Sequence, residues 1–159
     1  MYCEILAVGK LKERYWKEGI AEYQKRLQPI FPVKIKEVPD QPVPERASAA
    51  EIAKAVEKEG QGLLKLVTED TFLVTLEIDG KQLSSEALAA QFEQWSAQGI
   101  RRLAFAIGGS CGLAPTVRQR SDFALSFGKC TYPHQLMRLI LMEQIYRSVK
   151  INRQEPYHK

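Results

Sequence analysis

Two runs constrain the fold of this chain more than any other feature. TFLVTLEI at 71–78 and RRLAFAI at 101–107 are apolar or β-branched almost without interruption. A strand with one wet face alternates apolar and polar residues, whereas a strand covered on both faces reads as a continuous apolar run. Sheets covered on both faces are mostly parallel, because the helices that connect parallel strands are also what cover them.

The remaining segments supply those covers. Trp16, Ile20, Tyr23 and Leu27 fall on one stripe of an amphipathic helix that Pro29 and Pro32 end. Ser48 and Glu51 make an S-x-x-E capping box for a second helix, whose apolar face runs through Ile52, Val56, Leu63 and Val67. Gly60 and Gly62 within it each weaken a helix by about 1 kcal/mol relative to Ala. Ser84 or Ser85 caps a third helix carrying Leu88, Phe92 and Trp95, and 133–151 forms the last. Further strands are expected at 2–8, at 33–38 and at 122–127, with a turn at Asp79-Gly80 and a proline-broken exposed loop at 39–48. Alternating strands and helices over 1–159, without repeat or linker, predict one domain: a three-layer α/β sandwich with a mostly parallel sheet.

Composition excludes several function classes. With 45% hydrophobic and 26% charged residues, the 159-residue chain reads as globular, and no apolar run is long enough to span a bilayer. The N-terminal apolar stretch lacks the basic flank of a signal peptide, so a cytoplasmic location is expected. Cys3, Cys111 and Cys130 are too widely spaced for a disulfide framework or a paired metal motif, and only His134 and His158 accompany them, so no metal is expected. A net charge of +4 permits a polyanionic partner such as RNA without establishing one.

The chemistry-bearing segments lie late in the chain. Ile107-Gly108-Gly109-Ser110-Cys111-Gly112 follows a strand, and three glycines in five residues exceed what one turn needs. Ser126 to Tyr132 follows the next strand and delivers Pro133, His134 and Arg138 to the start of the last helix. Loops at the carboxyl ends of parallel strands are where open α/β sheets bind ligands. Neither G-x-G-x-x-G nor G-x-x-x-x-G-K-[ST] occurs, so the phosphate-cradling motifs are absent. Each glycine segment also suits an ordinary strand-to-helix connection. His134 and Arg138, four apart on one helix face, suit anion binding or proton handling, although a histidine near a helix start is often structural. Around the first helix, Lys10, Lys12, Arg14, Lys17, Lys25 and Arg26 are interleaved with Tyr15, Trp16 and Tyr23; this suits a nucleic-acid face, although a charged solvated face is the default. The last helix is apolar nearly all round, from Leu136 to Val149. Such a helix is buried on more than one side, which predicts a second copy of the chain as cover, with burial beneath its own neighbours as the alternative. The terminal NRQEPYHK reads as a frayed polar tail.

Taken together, LAVGKLK (6–12), LEIDGKQLSSE (76–86), FAIGGSCGL (105–113), ALSFGKCTYPHQLMR (124–138), EQIYR (143–147) and EPYHK (155–159) resemble the small ribosomal large-subunit pseudouridine N3-methyltransferases of the SPOUT, or α/β-knot, class. The resemblance spans the whole chain. It implies a homodimer dependent on S-adenosyl-L-methionine, with a C-terminal trefoil knot and no separate RNA-binding domain. The implied substrate is a pseudouridine in a subunit-interface hairpin of 23S rRNA, free or in the assembled ribosome. The implied cofactor loops contain Leu76, Gly108 and the six residues Phe127, Gly128, Lys129, Cys130, Thr131 and Tyr132. Removing the imide proton of such a substrate needs a proton acceptor or a cation, for which His134, Arg138, Tyr157 and His158 are the candidates. The tail of one subunit is expected to close over the other's pocket. Two other readings compete: a non-catalytic ribosome-associated dimer, and a Rossmann-like NAD oxidoreductase, against which the missing glycine fingerprint counts.

Overall fold

The computed structural model describes residues 1–159. Its five strands, β1 (Tyr2–Val8), β2 (Val33–Val38), β3 (Thr71–Gln82), β4 (Arg102–Ile107) and β5 (Phe123–Ser126), form one sheet in the order β2-β1-β4-β3-β5. Every pair is parallel. All five strands therefore end at the same rim.

Helices cover both faces, as the continuous apolar runs require. On one face lie α1 (Arg14–Leu27), α3 (Ser85–Ala97) and α5 (His134–Asn152); on the other lie α2 (Ala49–Leu64) and the six-residue α4 (Pro115–Arg120). The period-two geometry of a strand splits its residues between the two cores. Cys3, Ile5 and Ala7 of β1 join Leu103, Phe105 and Ile107 of β4 under α1, α3 and α5. Leu6, Val8, Ala104 and Ala106 face α2 and α4. No helix is long and apolar enough to cross a membrane.

The connections follow from this order. The chain leaving β4 crosses β3 before it enters β5, then returns through α5, which lies against both α1 and α3. This path is compatible with the trefoil threading that the resemblance implies. It also explains the all-round apolar character of α5. Leu141, Met142, Ile145 and Tyr146 are buried in its own chain's core, so neighbouring helices cover much of the surface for which a second copy was expected.

Three local readings change. The Asp79-Gly80 turn is an excursion inside β3: Leu76 and Lys81 both align with Leu125, so residues 77–80 bulge out and the strand resumes. Gly80 lies so close to β5 that an added Cβ would stand 2.8 Å from the Leu125 carbonyl carbon. Gly60 is not a defect in α2, since a Cβ there would come within 2.6 Å of the Ala114 Cβ; the glycine lets α2 approach the start of α4. The C-terminal tail is docked and not frayed. Tyr157 stacks edge-on against Tyr146 at 4.8 Å, and the Arg147 guanidinium lies 4.7 Å from the Tyr157 ring.

Candidate functional site

The parallel order brings the ends of β3, β4 and β5 together at one rim, and a cleft of about 340 Å³ opens between them and the first turn of α5. Its walls come from the β3 excursion (Leu76 to Asp79), the glycine turn after β4, the loop after β5, and His134 and Met137 of α5. The lining is mostly apolar side chain and glycine backbone, with Ile78, Leu113, Leu125, Phe127 and Met137 among the contributors.

The glycines have distinct jobs. Gly108 is packed against the far side of its own turn, where a Cβ would sit 2.6 Å from the Gly112 carbonyl. That turn closes with a hydrogen bond from the Gly112 amide to the Gly109 carbonyl at 3.1 Å. Gly128 has φ +107°, a conformation open to glycine and costly for most other residues. An added Cβ there would meet nothing within 4 Å. The Cα side of this position is thus open to close approach by a ligand, while its amide is engaged by Ser126.

Ser126, which the sequence reading did not single out, ties two walls together. Its hydroxyl donates to the Ile78 carbonyl at 2.8 Å and accepts from the Gly128 amide at 3.1 Å. Arg118, on a short helix that periodicity did not reveal, also reaches the cleft. It pairs with Glu77 at 3.6 Å, while the Thr75 hydroxyl donates to the other Glu77 oxygen at 2.6 Å.

Of the candidate residues, Leu76, Gly108, Phe127, Gly128, Cys130, Thr131, Tyr132 and His134 line the cleft. Lys129 belongs to the same loop but does not line it. His134 has its Nδ1 buried without a hydrogen-bond partner. Burial first and then the positive charge of Arg138 push its pKa below the usual histidine value, against an opposing pull from Asp40 that exceeds the small further lowering by Lys12. A neutral imidazole therefore faces the cleft.

Arg138 is elsewhere. Its side chain is fully buried, donating to Glu37 at 2.8 Å and to the carbonyls of Gly9 and Val8 at 2.6 and 3.3 Å. The guanidinium is committed to the ends of β1 and β2. Tyr157 and His158 do not line this chain's cleft either. The Tyr157 hydroxyl donates to Glu143 at 3.2 Å, and burial and then its neighbours Tyr23 and Glu143 raise its pKa to about 12. His158 lies 2.7 Å from Glu86 at the start of α3 and 3.1 Å from Arg147.

The chain matches, over residues 1–158, the model of a family described as a predicted SPOUT methyltransferase. Two solved structures share its fold. One is that of a probable methylase family protein from Haemophilus influenzae Rd KW20, with a TM-score of 0.56 at 8% identity, covering 99% of this chain and 70% of the other. The second, of a probable methyltransferase from Bordetella pertussis Tohama I, has a TM-score of 0.53 at 11% identity and covers 92% and 95% of the two chains. A family match over nearly the full length, on a parallel sheet whose glycine turns open onto one rim cleft, makes this chain a member of the SPOUT methyltransferase family.

Proposed function

We propose that this chain methylates N3 of a pseudouridine in a subunit-interface hairpin of 23S rRNA, using S-adenosyl-L-methionine as donor and acting as a homodimer. The observation that carries the cofactor assignment is the cleft itself. Glycine backbone and apolar side chains offer an adenine and a ribose both stacking surface and amide hydrogen bonds, and no phosphate-binding motif is needed for a donor without phosphates. Leu76, Gly108 and the loop from Phe127 to Tyr132 would hold it, with Lys129 contributing backbone only.

When bound, S-adenosyl-L-methionine supplies an electrophilic methyl group on a sulfonium. The chain's own residues must then deal with the imide proton of the target base. His134 fits that role, because burial and Arg138 keep its imidazole neutral with a lone pair to offer, while the Asp40 carboxylate favours the imidazolium that forms on taking the proton. With Nδ1 buried and unpartnered, Nε2 is the ring nitrogen left to meet a base. Arg138 acts as a positioning residue, fixing the first turns of α5 to Gly9. The tail of one protomer, held rigid by Tyr157 and His158, closes over the cleft of its partner. The net positive charge of the chain favours an RNA substrate.

The test is methylation of ribosomes from a strain lacking the enzyme, followed by mass spectrometry of rRNA nucleosides. Methylpseudouridine appearing only with active protein and donor supports the proposal. Thermal shifts with S-adenosylhomocysteine but no methylated nucleoside on ribosomes or free rRNA would leave the family assignment and remove this substrate. A shift with neither S-adenosyl compound would favour the non-catalytic dimer.

A further inference from the structure

Beyond the end of β1, Lys10, Lys12, Arg14 and Lys17 lie within five residues of Tyr15 in the chain, and all five are exposed. Tyr15 is 61% exposed, one of only four large hydrophobic side chains left open to water. It is not loose, because its ring rests on Trp16 with centroids 4.7 Å apart. A supported aromatic ring with an open face, set among cations, is what an unpaired nucleotide takes: the ring stacks the base and the cations meet the adjoining phosphates.

The local charge agrees. Two carboxylates, Glu13 and Glu18, lie in the same stretch, and Glu18 pairs with Arg14 at 2.5 Å. That pair is strongly exposed on both sides, so it contributes little and yields readily to a phosphate. Lys10, Lys12 and Lys17 have no carboxylate partner.

The patch is also continuous with the cleft. The Lys12 amide donates to the Gln135 side chain at 2.9 Å, and Gln135 adjoins His134 in the cleft wall. One turn further, Gly19 packs so tightly on Leu139 of α5 that an added Cβ would lie 3.2 Å from it. The segment before α1 and the second turn of α1 are therefore both packed on the first turns of α5, forming one shelf.

We infer that this shelf is a docking platform for an unpaired RNA nucleotide, with Tyr15 stacking the base and Lys10, Lys12 and Lys17 contacting the flanking phosphates. The inference rests on the RNA-methyltransferase reading for its purpose, but RNA binding by the shelf is measurable without turnover.

The experiment compares a fluorescein-labelled RNA hairpin with a loop of unpaired uridines against a blunt RNA duplex of equal length, by anisotropy at several salt concentrations. The hairpin is expected to bind more tightly. Tyr15→Ala should weaken hairpin binding by about fivefold or more, as loss of one stacked base does, while Tyr15→Phe retains it. Replacing Lys10, Lys12 and Lys17 together by Gln should reduce the slope of log affinity against log salt by about 2. Wild-type affinity in Tyr15→Ala overturns the inference. So does a change in its sedimentation without a change in RNA affinity, which would make the patch a contact between copies of the chain. If S-adenosylhomocysteine raises the melting temperature but no RNA binds, the platform is wrong and the cofactor reading stands. RNA binding that depends on Tyr15, without any S-adenosylhomocysteine shift, supports the platform and counts against methyl transfer.

Discussion

Arg138 and Gly9 are joined by a 2.6 Å hydrogen bond from a fully buried guanidinium to a carbonyl, across 129 residues of sequence. The same guanidinium meets Glu37 at 2.8 Å, so one side chain of α5 closes the ends of β1 and β2. Removing one partner of a buried ion pair leaves the other charge and the carbonyls stranded. Glu37 is about a third exposed and regains some water, which places the loss at the low end. Arg138→Met should destabilise the protein by roughly 2–3 kcal/mol, read as a lower urea midpoint with an unchanged slope. An unchanged midpoint would mean that the guanidinium is not holding these strands.

Gly60 and Gly62 are two residues apart on α2 yet should respond to alanine with opposite signs. At Gly60 the new Cβ would meet Ala114 at 2.6 Å and Val117 at 3.1 Å, and neither can retreat far from the facing helix. Overpacking of that kind costs about 1–3 kcal/mol and outweighs the helix-propensity gain of about 1 kcal/mol. At Gly62 the nearest atom is the Val38 Cβ at 3.4 Å, an ordinary contact, so the propensity gain survives. Thermal melts should show Gly60→Ala below wild type and Gly62→Ala at or above it; the reverse order would refute this packing.

These two sites show where sequence legibility ends. Strand and helix assignments followed from apolar periodicity, because both faces of the sheet are covered and each helix has one buried stripe. Three of the cleft's walls were also readable, since glycines at strand ends and the motifs around them mark the rim. What was hidden depends on how segments pack against one another, or on elements too short to show a period. Gly60 looks like a helix flaw until Ala114 is placed against it. Arg138 reads as a ligand-binding cation until its burial against Glu37 and Gly9 is seen, and its position within an apolar stripe was the available signal. The tail reads as polar and frayed because Tyr157 finds its aromatic partner, Tyr146, a full helix end away. Arg118 was missed because a six-residue helix carries too little periodicity to detect.

His134 makes both stability and activity depend on pH in a defined direction. Its folded pKa lies below the usual value, through burial first and then Arg138, with Asp40 opposing and Lys12 adding least. The unfolded chain therefore takes up a proton first as pH falls through about 6.5. Stability contributed by the neutral form is complete above that value and is lost as pH drops toward the folded pKa. If His134 also accepts the imide proton, the acid limb of kcat/KM should lie below pH about 6.5 and should be abolished along with most activity in His134→Gln. S-adenosylhomocysteine affinity should be retained in that variant. An acid limb that persists unchanged in His134→Gln would remove the residue from proton transfer.

The tail offers a separation between folding and function. Residues 156–159 are anchored by Tyr157 on Tyr146 and by His158 beside Glu86, whose carboxyl is held down to about 2 by its own helix-start amide and by His158. These contacts lie at the chain end and tie down only the tail, so their loss should leave the sheet and its helices standing. Their rigidity matters more if the tail of one protomer completes the cleft of the other. Deleting 156–159 should then leave the melting temperature and the dimer nearly intact while turnover falls by at least an order of magnitude, because positioning of the reacting groups is lost. Mixing the deletion with a His134→Gln partner adds a sharper readout. Heterodimers would recover activity in one of two sites if cleft and tail come from different protomers, and in neither if both come from the same protomer. Under the crossed arrangement, one site of the mixed dimer pairs the intact His134 of the deleted chain with the intact tail of its partner, and activity returns. With cleft and tail on one chain, every site is defective and the mixture stays inactive, which would refute the shared site.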